Sequence, residues 1–361
     1  MPVGLSPGAA PAAPRSFDYA AAAKESVACP LCGTADFEPM AGIDRYAMGL
    51  ATVGCRGCGL IQTNPRLTAA ELATFYRLHY RSYYQGVDEP SQAYVRQMHK
   101  DARLEATVRF LAEGGALADG AAVLDVGCSE GTFFAALRRG GFVGRLLGVE
   151  PNPAFRAYAA ARHGAETVAD EADLPPAWRG TIGLVAMIHV LEHVADPVAT
   201  LARLRGFLAA DGLLYVDVPD AAEYGTLNDL HIAHIYHFGE ATLRATLAAA
   251  GFAVVRLEAH RPAHHPRSLR ALARPLAHPD SAAADLPAAA ISAEDAPAGE
   301  ALAGDAPAGA APADAAGDVR AGWLQVRRID RKRHRRALKR VLRSALAQSR
   351  LFQALRRHLV P

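Results

Sequence analysis

The stretch Val123-Leu-Asp-Val-Gly-Cys-Ser-Glu-Gly131 decides the fold. A short apolar run stops at a glycine and gives way to a helical pattern, which reads as a buried strand feeding a helix. Gly127 and Gly131 let backbone approach a ligand closely, and the helix behind them offers free N–H groups at its N-terminus. About twenty residues on, a second apolar run ends at Glu150, in Gly148-Val-Glu-Pro-Asn152. A carboxylate there can accept hydrogen bonds from two ribose hydroxyls. This geometry suits any nucleoside cofactor.

Outward from this unit, strands are expected at Val123–Gly127, Arg145–Glu150, Glu166–Ala169, Ile182–Val190, Leu213–Pro219 and Phe252–His260, with helices between them. The first five are short apolar runs, as strands covered on both faces should be. Alternation of this kind predicts βαβ units and a parallel sheet, hence an α/β fold. A last strand, Ser268–Arg274, is expected to fold back antiparallel on Phe252–His260.

The glycine pattern is D-x-G-x-x-x-G (Asp125, Gly127, Gly131), not the dinucleotide G-x-G-x-x-G. It resembles the first motif of class I S-adenosylmethionine (SAM)-dependent methyltransferases, with Ser129 where a middle glycine is more usual. Further pieces follow in that family's order: Asp170 after the third strand, Ile188-His-Val-Leu-Glu-His-Val-Ala-Asp-Pro197 after the fourth, Leu208-Ala-Ala-Asp-Gly-Leu-Leu214 into the fifth and Ala249-Ala-Gly-Phe252 into the sixth. The resemblance covers about residues 90 to 277. It implies a Rossmann-like, seven-stranded sheet, mostly parallel with the last strand antiparallel. It also implies that Asp125, Gly127, Ser129, Gly131, Glu150, Asp170 and His189 form the SAM site, with Glu150 on the ribose, Asp170 on the adenine and Asp125 supporting the loop. Cys128 reads as a small residue filling space under the cofactor rather than as a nucleophile.

Methyl transfer from a sulfonium is an in-line displacement, and a hydroxyl or carbon acceptor must also lose a proton. Histidine is the natural base near neutral pH. Candidates cluster where loops top the sheet: His189, Glu192 and His193 after the fourth strand, and His231, His234 and His237 after the fifth. His237, His193 and His234 are taken as the catalytic candidates.

Cys29-Pro-Leu-Cys32-Gly and Cys55-Arg-Gly-Cys58-Gly are two knuckles that together offer four thiolates. Cys29, Cys32, Cys55 and Cys58 predict a zinc-ribbon-like module in which all four positions are filled, so the metal is structural rather than catalytic. Gly33 and Gly59 sit where a turn around a metal needs unusual backbone angles. Their spacing is slightly long for such pairs, which suggests a hairpin between the knuckles. Zinc knuckles, a tyrosine-rich connector (Phe75, Tyr76, Tyr80, Tyr83, Tyr84), the SAM domain, His237-Phe238 and Ser268-Leu-Arg270 together look like sugar C-methyltransferases of deoxysugar pathways. The Tyr-x-Glu-His set of that group would fall on His234, Tyr236 and His237, so only its last histidine is kept.

The organisation expected is a disordered N-terminus (1–25), zinc module (26–66), helical connector (67–118), methyltransferase domain (119–277), Ala/Pro-rich linker (278–318) and basic amphipathic helical tail (319–361). The chain of 361 residues has a formal net charge of +2, but from Arg320 onward fourteen Lys/Arg face the single Asp330. The remainder is therefore acidic, which argues against a body that binds polyanions. The tail reads as a solvated helix, as a peripheral contact with an anionic membrane surface, or, third, as an RNA contact. Paired cysteines and the absence of a signal or spanning segment predict a cytoplasmic protein, peripheral at the inner membrane surface if the tail binds there. The function expected is transfer of a methyl group to O or C of a small or carrier-linked metabolite, such as a sugar or secondary-metabolite intermediate. The rivals are an RNA methyltransferase with a zinc ribbon and a non-enzymatic interaction protein on the same fold.

Overall fold

The computed structural model describes residues 17–276, apart from Ala47, Asp119, Gly225, Leu227, Asn228 and His264, together with 322–323 and 325–328. Residues 1–16, the expected linker 278–318 and 329–361 of the expected tail lie outside the described residues.

The N-terminal module holds β1 (Lys24–Glu25), β2 (Phe37–Ala41), β3 (Thr52–Cys55), β4 (Ile61–Thr63) and β5 (Arg66–Leu67). β2, β3 and β4 pair antiparallel in sequence, so the expected hairpin between the knuckles is present. β1 pairs with β5. Residues 17–25, expected within the disordered stretch, instead pack. Tyr19 is buried, and the Phe17 ring lies 4.8 Å from that of Phe75, so apolar burial outweighs the Ala-rich composition around them.

The connector begins with α1 (Ala69–Thr74) and α2 (Tyr80–Gln85), joined by a π-helical turn at Phe75–His79. Widened turns of this kind are frequent at functional sites. α3 (Gln92–Gln97) and α4 (Asp101–Glu113) follow.

The main sheet is made of β6 (Ala122–Val126), β7 (Leu146–Val149), β8 (Glu166–Val168), β9 (Ile182–Ile188), β10 (Leu208–Pro219), and, after the short β11 (Tyr236–His237), β12 (Phe252–His260) and β13 (Ser268–Pro275). Its order is β12-β13-β10-β9-β6-β7-β8. β13 runs antiparallel to both neighbours and the other pairings are parallel. This is the seven-stranded Rossmann-like arrangement expected, with the β13–β12 return at the expected segments. Every residue of β6 and β7 is buried, as a sheet covered on both faces requires. The covering helices are α5 (Thr132–Arg139), α6 (Pro153–His163), α7 (Pro197–Arg205) and α8 (Glu240–Ala249). α6 shows why they form where they do. The Asn152 side chain caps Ala154 and Phe155 N–H, Pro153 opens the first turn and Gly164 closes the last at φ 64°.

Two strand limits differ from expectation by more than one residue. β10 begins at Leu208 rather than Leu213, because the Ala-Ala-Asp-Gly turn stays in the ladder through a register shift. β9 stops at Ile188, since His189 turns to φ 55°. Strand order reverses between β6 and β9, and the crevice beyond their C-terminal ends is where open α/β sheets bind ligands.

Several contacts tie the zinc sheet to the rest. β11 adds to its edge by pairing Tyr236 with Gln62 and His237 with Ile61. From the far side of the sequence Trp323 is buried against it, its Nε1 donating to Gly59 O at 2.9 Å. Gly54 makes this close approach feasible, since a Cβ there would lie 2.6 Å from the indole. Arg327 forms an ion pair with Glu38. Among the described residues no helix is long and apolar enough to cross a membrane.

Candidate active site

A cavity of about 1160 Å³ opens over the switch point. Its walls include Gly127, Ser129, Glu150, Asp170, His189, His193 and His234, seven of the ten residues expected in the cofactor and catalytic sets. Asp125, Gly131 and His237 are not among the lining residues.

At one end the loop after β6 turns through three left-handed residues, Gly127 (φ 79°), Ser129 (φ 54°) and Gly131 (φ 82°). At Gly127 no side chain fits in any case, because a Cβ would lie 2.4 Å from Val190 Cγ2. Ser129 bears a side chain in a conformation that costs L-residues about 1–2 kcal/mol. Its N–H donates to Glu150 Oε2 at 3.0 Å and its hydroxyl to Glu130. Glu150 also accepts from Asn152 N–H at 2.9 Å and from Arg81 at 2.7 Å. Glu130 pairs with Lys100 at 2.7 Å. Burial alone would raise its carboxyl, but Lys100 and the hydrogen bonds from Lys100, Ser129 and Thr132 hold it at about 2. Asp170 caps the short turn after β8 through Ala172 N–H at 2.8 Å. Asp125 lies within β6, and burial pushes its carboxyl well up. The Cys128 thiol is buried under Gly148 and pushed up by burial, in keeping with a space-filling role. The donor set fits SAM: the Glu150 carboxylate on the wall, glycine-loop backbone beside it and Asp170 further along.

The other end is built from histidines. His193 Nδ1 lies 2.6 Å from Ala233 O and 2.8 Å from the Tyr76 hydroxyl. His234 Nδ1 lies 3.1 Å from Asp229 O. Burial pushes both rings below the usual histidine range, His234 far below, where His231, with its ring centroid 3.8 Å away, adds to the effect. Glu192, 1% exposed, sits among them, and among the described residues neither of its carboxylate oxygens is hydrogen-bonded. Asp217, in β10, accepts from His260 Nε2 at 3.2 Å. Burial would raise its carboxyl, yet His260, His189 and Arg103 hold it down. His237 lies behind this group on β11, with Nδ1 3.0 Å from the Tyr224 hydroxyl, and burial pushes it down to about 3. Tyr236 points its hydroxyl at Ala195 O, 2.9 Å away, and accepts from Arg66. The aromatic connector walls this end with Tyr76, Tyr80 and Tyr84.

Sequence reasoning missed Arg81, Lys100 and Arg103, the cations that face these carboxylates and line the cavity. No spacing marks them, since their partners lie on other elements.

In the zinc module the Sγ atoms of Cys29, Cys32, Cys55 and Cys58 all lie within 4.8 Å of one another, and none is in a disulfide. Cys29–Cys58 and Cys32–Cys55 are 3.5 and 3.4 Å apart. A tetrahedron with ordinary Zn–S bonds has edges of about 3.8 Å. Gly33 (φ 75°) and Gly59 (φ 79°) turn back onto Cys29 O and Cys55 O, as the knuckle reading requires. The set fits a closed, structural zinc ion.

Residues 94–257 match the family model Methyltransf_23, described as a methyltransferase domain. Among solved structures the chain is similar to the Burkholderia thailandensis 1,6-didemethyltoxoflavin-N1-methyltransferase with bound 1,6-didemethyltoxoflavin and S-adenosylhomocysteine (22% identity, 62% of this chain and 96% of that one, TM-score 0.45). It is also similar to magnesium protoporphyrin IX methyltransferase from Synechocystis PCC 6803 with bound SAM (17%, 56% and 96%, 0.40) and to a SAM-dependent methyltransferase from Aquifex aeolicus (17%, 51% and 98%, 0.40). Among curated proteins none matches. The family match spans the glycine loop, Glu150, Asp170 and the histidine motif, so residues 94–257 form a methyltransferase domain.

Proposed function

We propose that the chain transfers the methyl group of SAM to an oxygen or carbon of a small or carrier-linked metabolite, of which a sugar or secondary-metabolite intermediate is the type. One observation supports this above others: a single cavity runs from Gly127 and Glu150 to His193 and His234 under a wall of tyrosines. Its volume of about 1160 Å³ suits a cofactor with a compact acceptor beside it. Bound SAM supplies an electrophilic methyl on sulfur. The chain's own part is to hold the acceptor in line and take its proton. His193 and His234 line the acceptor end of the cavity, and burial keeps both neutral near pH 7, so each offers one bare ring nitrogen at that end. His237 acts through them as a positioning residue, bridging Tyr224 and the zinc sheet.

The test is calorimetric titration of zinc-loaded protein with SAM and S-adenosylhomocysteine, followed by an acceptor screen with sugar nucleotides before RNA. Micromolar binding and turnover of a small acceptor are expected. Turnover of RNA alone would overturn the acceptor class, and no binding of either cofactor form would overturn the enzyme.

A further inference from the structure

Among the described residues, Glu192 is a buried carboxylate without a hydrogen-bond donor. Both its oxygens are inaccessible and unpartnered, and it is 1% exposed. Leaving such a group unsatisfied is costly, so a buried carboxylate ordinarily has a cation or several donors against it. The groups facing Glu192 do not supply them. A carbonyl oxygen can only accept, so the contacts of His193 with Ala233 O and of His234 with Asp229 O put the ring proton on Nδ1 in both. Each neutral ring then turns a bare Nε2 lone pair toward Glu192 Oε1, at 3.7 Å from His193 and 4.0 Å from His234. His189 Nδ1 stands 3.5 Å from the same oxygen, beyond a good hydrogen bond. Three acceptors thus converge with no hydrogen between them.

We infer that Glu192, His193 and His234 bind a divalent transition-metal ion in the floor of the cavity. The three ligand atoms lie within 4.8 Å of one another. Ordinary bond lengths to an ion such as zinc place ligand atoms about 3.4 Å apart, so the two carboxylate–imidazole distances, 3.7 and 4.0 Å, would shorten by about 0.3 and 0.6 Å on an ion. The tautomers are already those of metal-binding histidines, with the second ring nitrogen held by a backbone carbonyl. Tyr76 adds a further clamp on His193. Two imidazoles and one carboxylate leave at least one coordination position open, unlike the four-thiolate centre. His193 and His234 line the cavity and Glu192 lies behind its wall, so a position left open opposite Glu192 would face the cavity. If the methyl-transfer reading above holds, the ligand for that position is an oxygen of the acceptor, and acceptors with a hydroxyl or enolisable carbonyl are favoured.

The test reads metal alone. Full-length protein carrying one zinc per chain is titrated with Zn2+ by calorimetry, in the absence of SAM and acceptor. A second equivalent should bind. Glu192→Gln and His234→Asn should each weaken that equivalent by more than about 100-fold, the upper end for loss of an outer-shell partner alone. Both should still hold the first zinc. Offered as Co2+, the second ion should give weak visible bands without the thiolate charge-transfer absorption of a cysteine site. Uptake of only one zinc by the parent protein would overturn the site, as would a second equivalent that both variants bind undiminished. Because neither SAM binding nor turnover is read, failure of the metal site is separable from failure of the methyltransferase reading.

Discussion

The two ends of the cavity treat their carboxylates in opposite ways. At the glycine-loop end, Glu150 accepts from Ser129, Asn152 and Arg81, and Glu130 from Lys100, Ser129 and Thr132. At the histidine end, Glu192 accepts from no group among the described residues. A carboxylate with three donors is fixed before any ligand arrives, which suits an end that receives the same cofactor in every turnover. A carboxylate with none gains its partners only when something else enters. The two ends also hang on different supports. The glycine loop belongs to the main sheet, whereas the histidine loop is held through β11 by the zinc sheet, with Thr63 N–H donating to Ile235 O at 2.8 Å.

That difference of support gives the largest expected effect. Removing the structural zinc with a chelator, or by Cys55→Ser, should abolish turnover, since it takes away the strand against which His234 and His237 are set. S-adenosylhomocysteine affinity should change by no more than a few-fold. Equal loss of both, measured by calorimetry beside an activity assay, would mean that the ends are not independently supported.

The reverse experiment is milder. Glu150→Ala should weaken SAM binding at least about tenfold, the equivalent of one lost charge-assisted hydrogen bond, and spare the second-metal titration. Unchanged SAM affinity would remove Glu150 from the ribose.

The smallest effect concerns pH. His237 is held at about 3, below its unfolded value of about 6.5, so the unfolded chain binds the extra proton first. Its contribution to stability is complete above pH 6.5 and is lost as pH falls from there toward 3. Between pH 7 and pH 6 this amounts to about 0.7 kcal/mol. In urea unfolding, His237→Gln should lose that much less stability than the parent over the same interval. A parallel loss in both proteins would show that His237 is not kept neutral by folding.

Much of this was readable in the chain, and the reason is local. Val123 to Gly131 specifies strand, turn and helix within nine residues, and the knuckles specify a metal within four each. The sheet order follows because buried parallel strands and short crossovers leave few topologies. What could not be read depends on meetings across sequence distance. β11 is two residues long in a histidine-rich loop, and its pairing with β4 spans some 170 positions. Arg81 meets Glu150 from the connector, and nothing in the tyrosine-rich stretch singles it out. Glu192 stood among the candidates by position, but its lack of donors is a property of three folded loops. His237, chosen as one of the histidines crowded in the loop after the fifth strand, lies behind the cavity wall, since a residue paired in a sheet edge is turned by the ladder rather than by the loop.

The indole of Trp323 on the bare backbone of Gly54 has a thermodynamic counterpart. Segments that fit only each other's folded form stabilise one another by equal amounts, whichever is considered the cause. Whatever docking of Trp323 adds to zinc affinity, zinc must add to retention of Trp323, so the metal centre and the segment from 322 to 328 act as mutual effectors. A side chain at position 54 would then appear as weaker zinc binding, although it touches no thiolate.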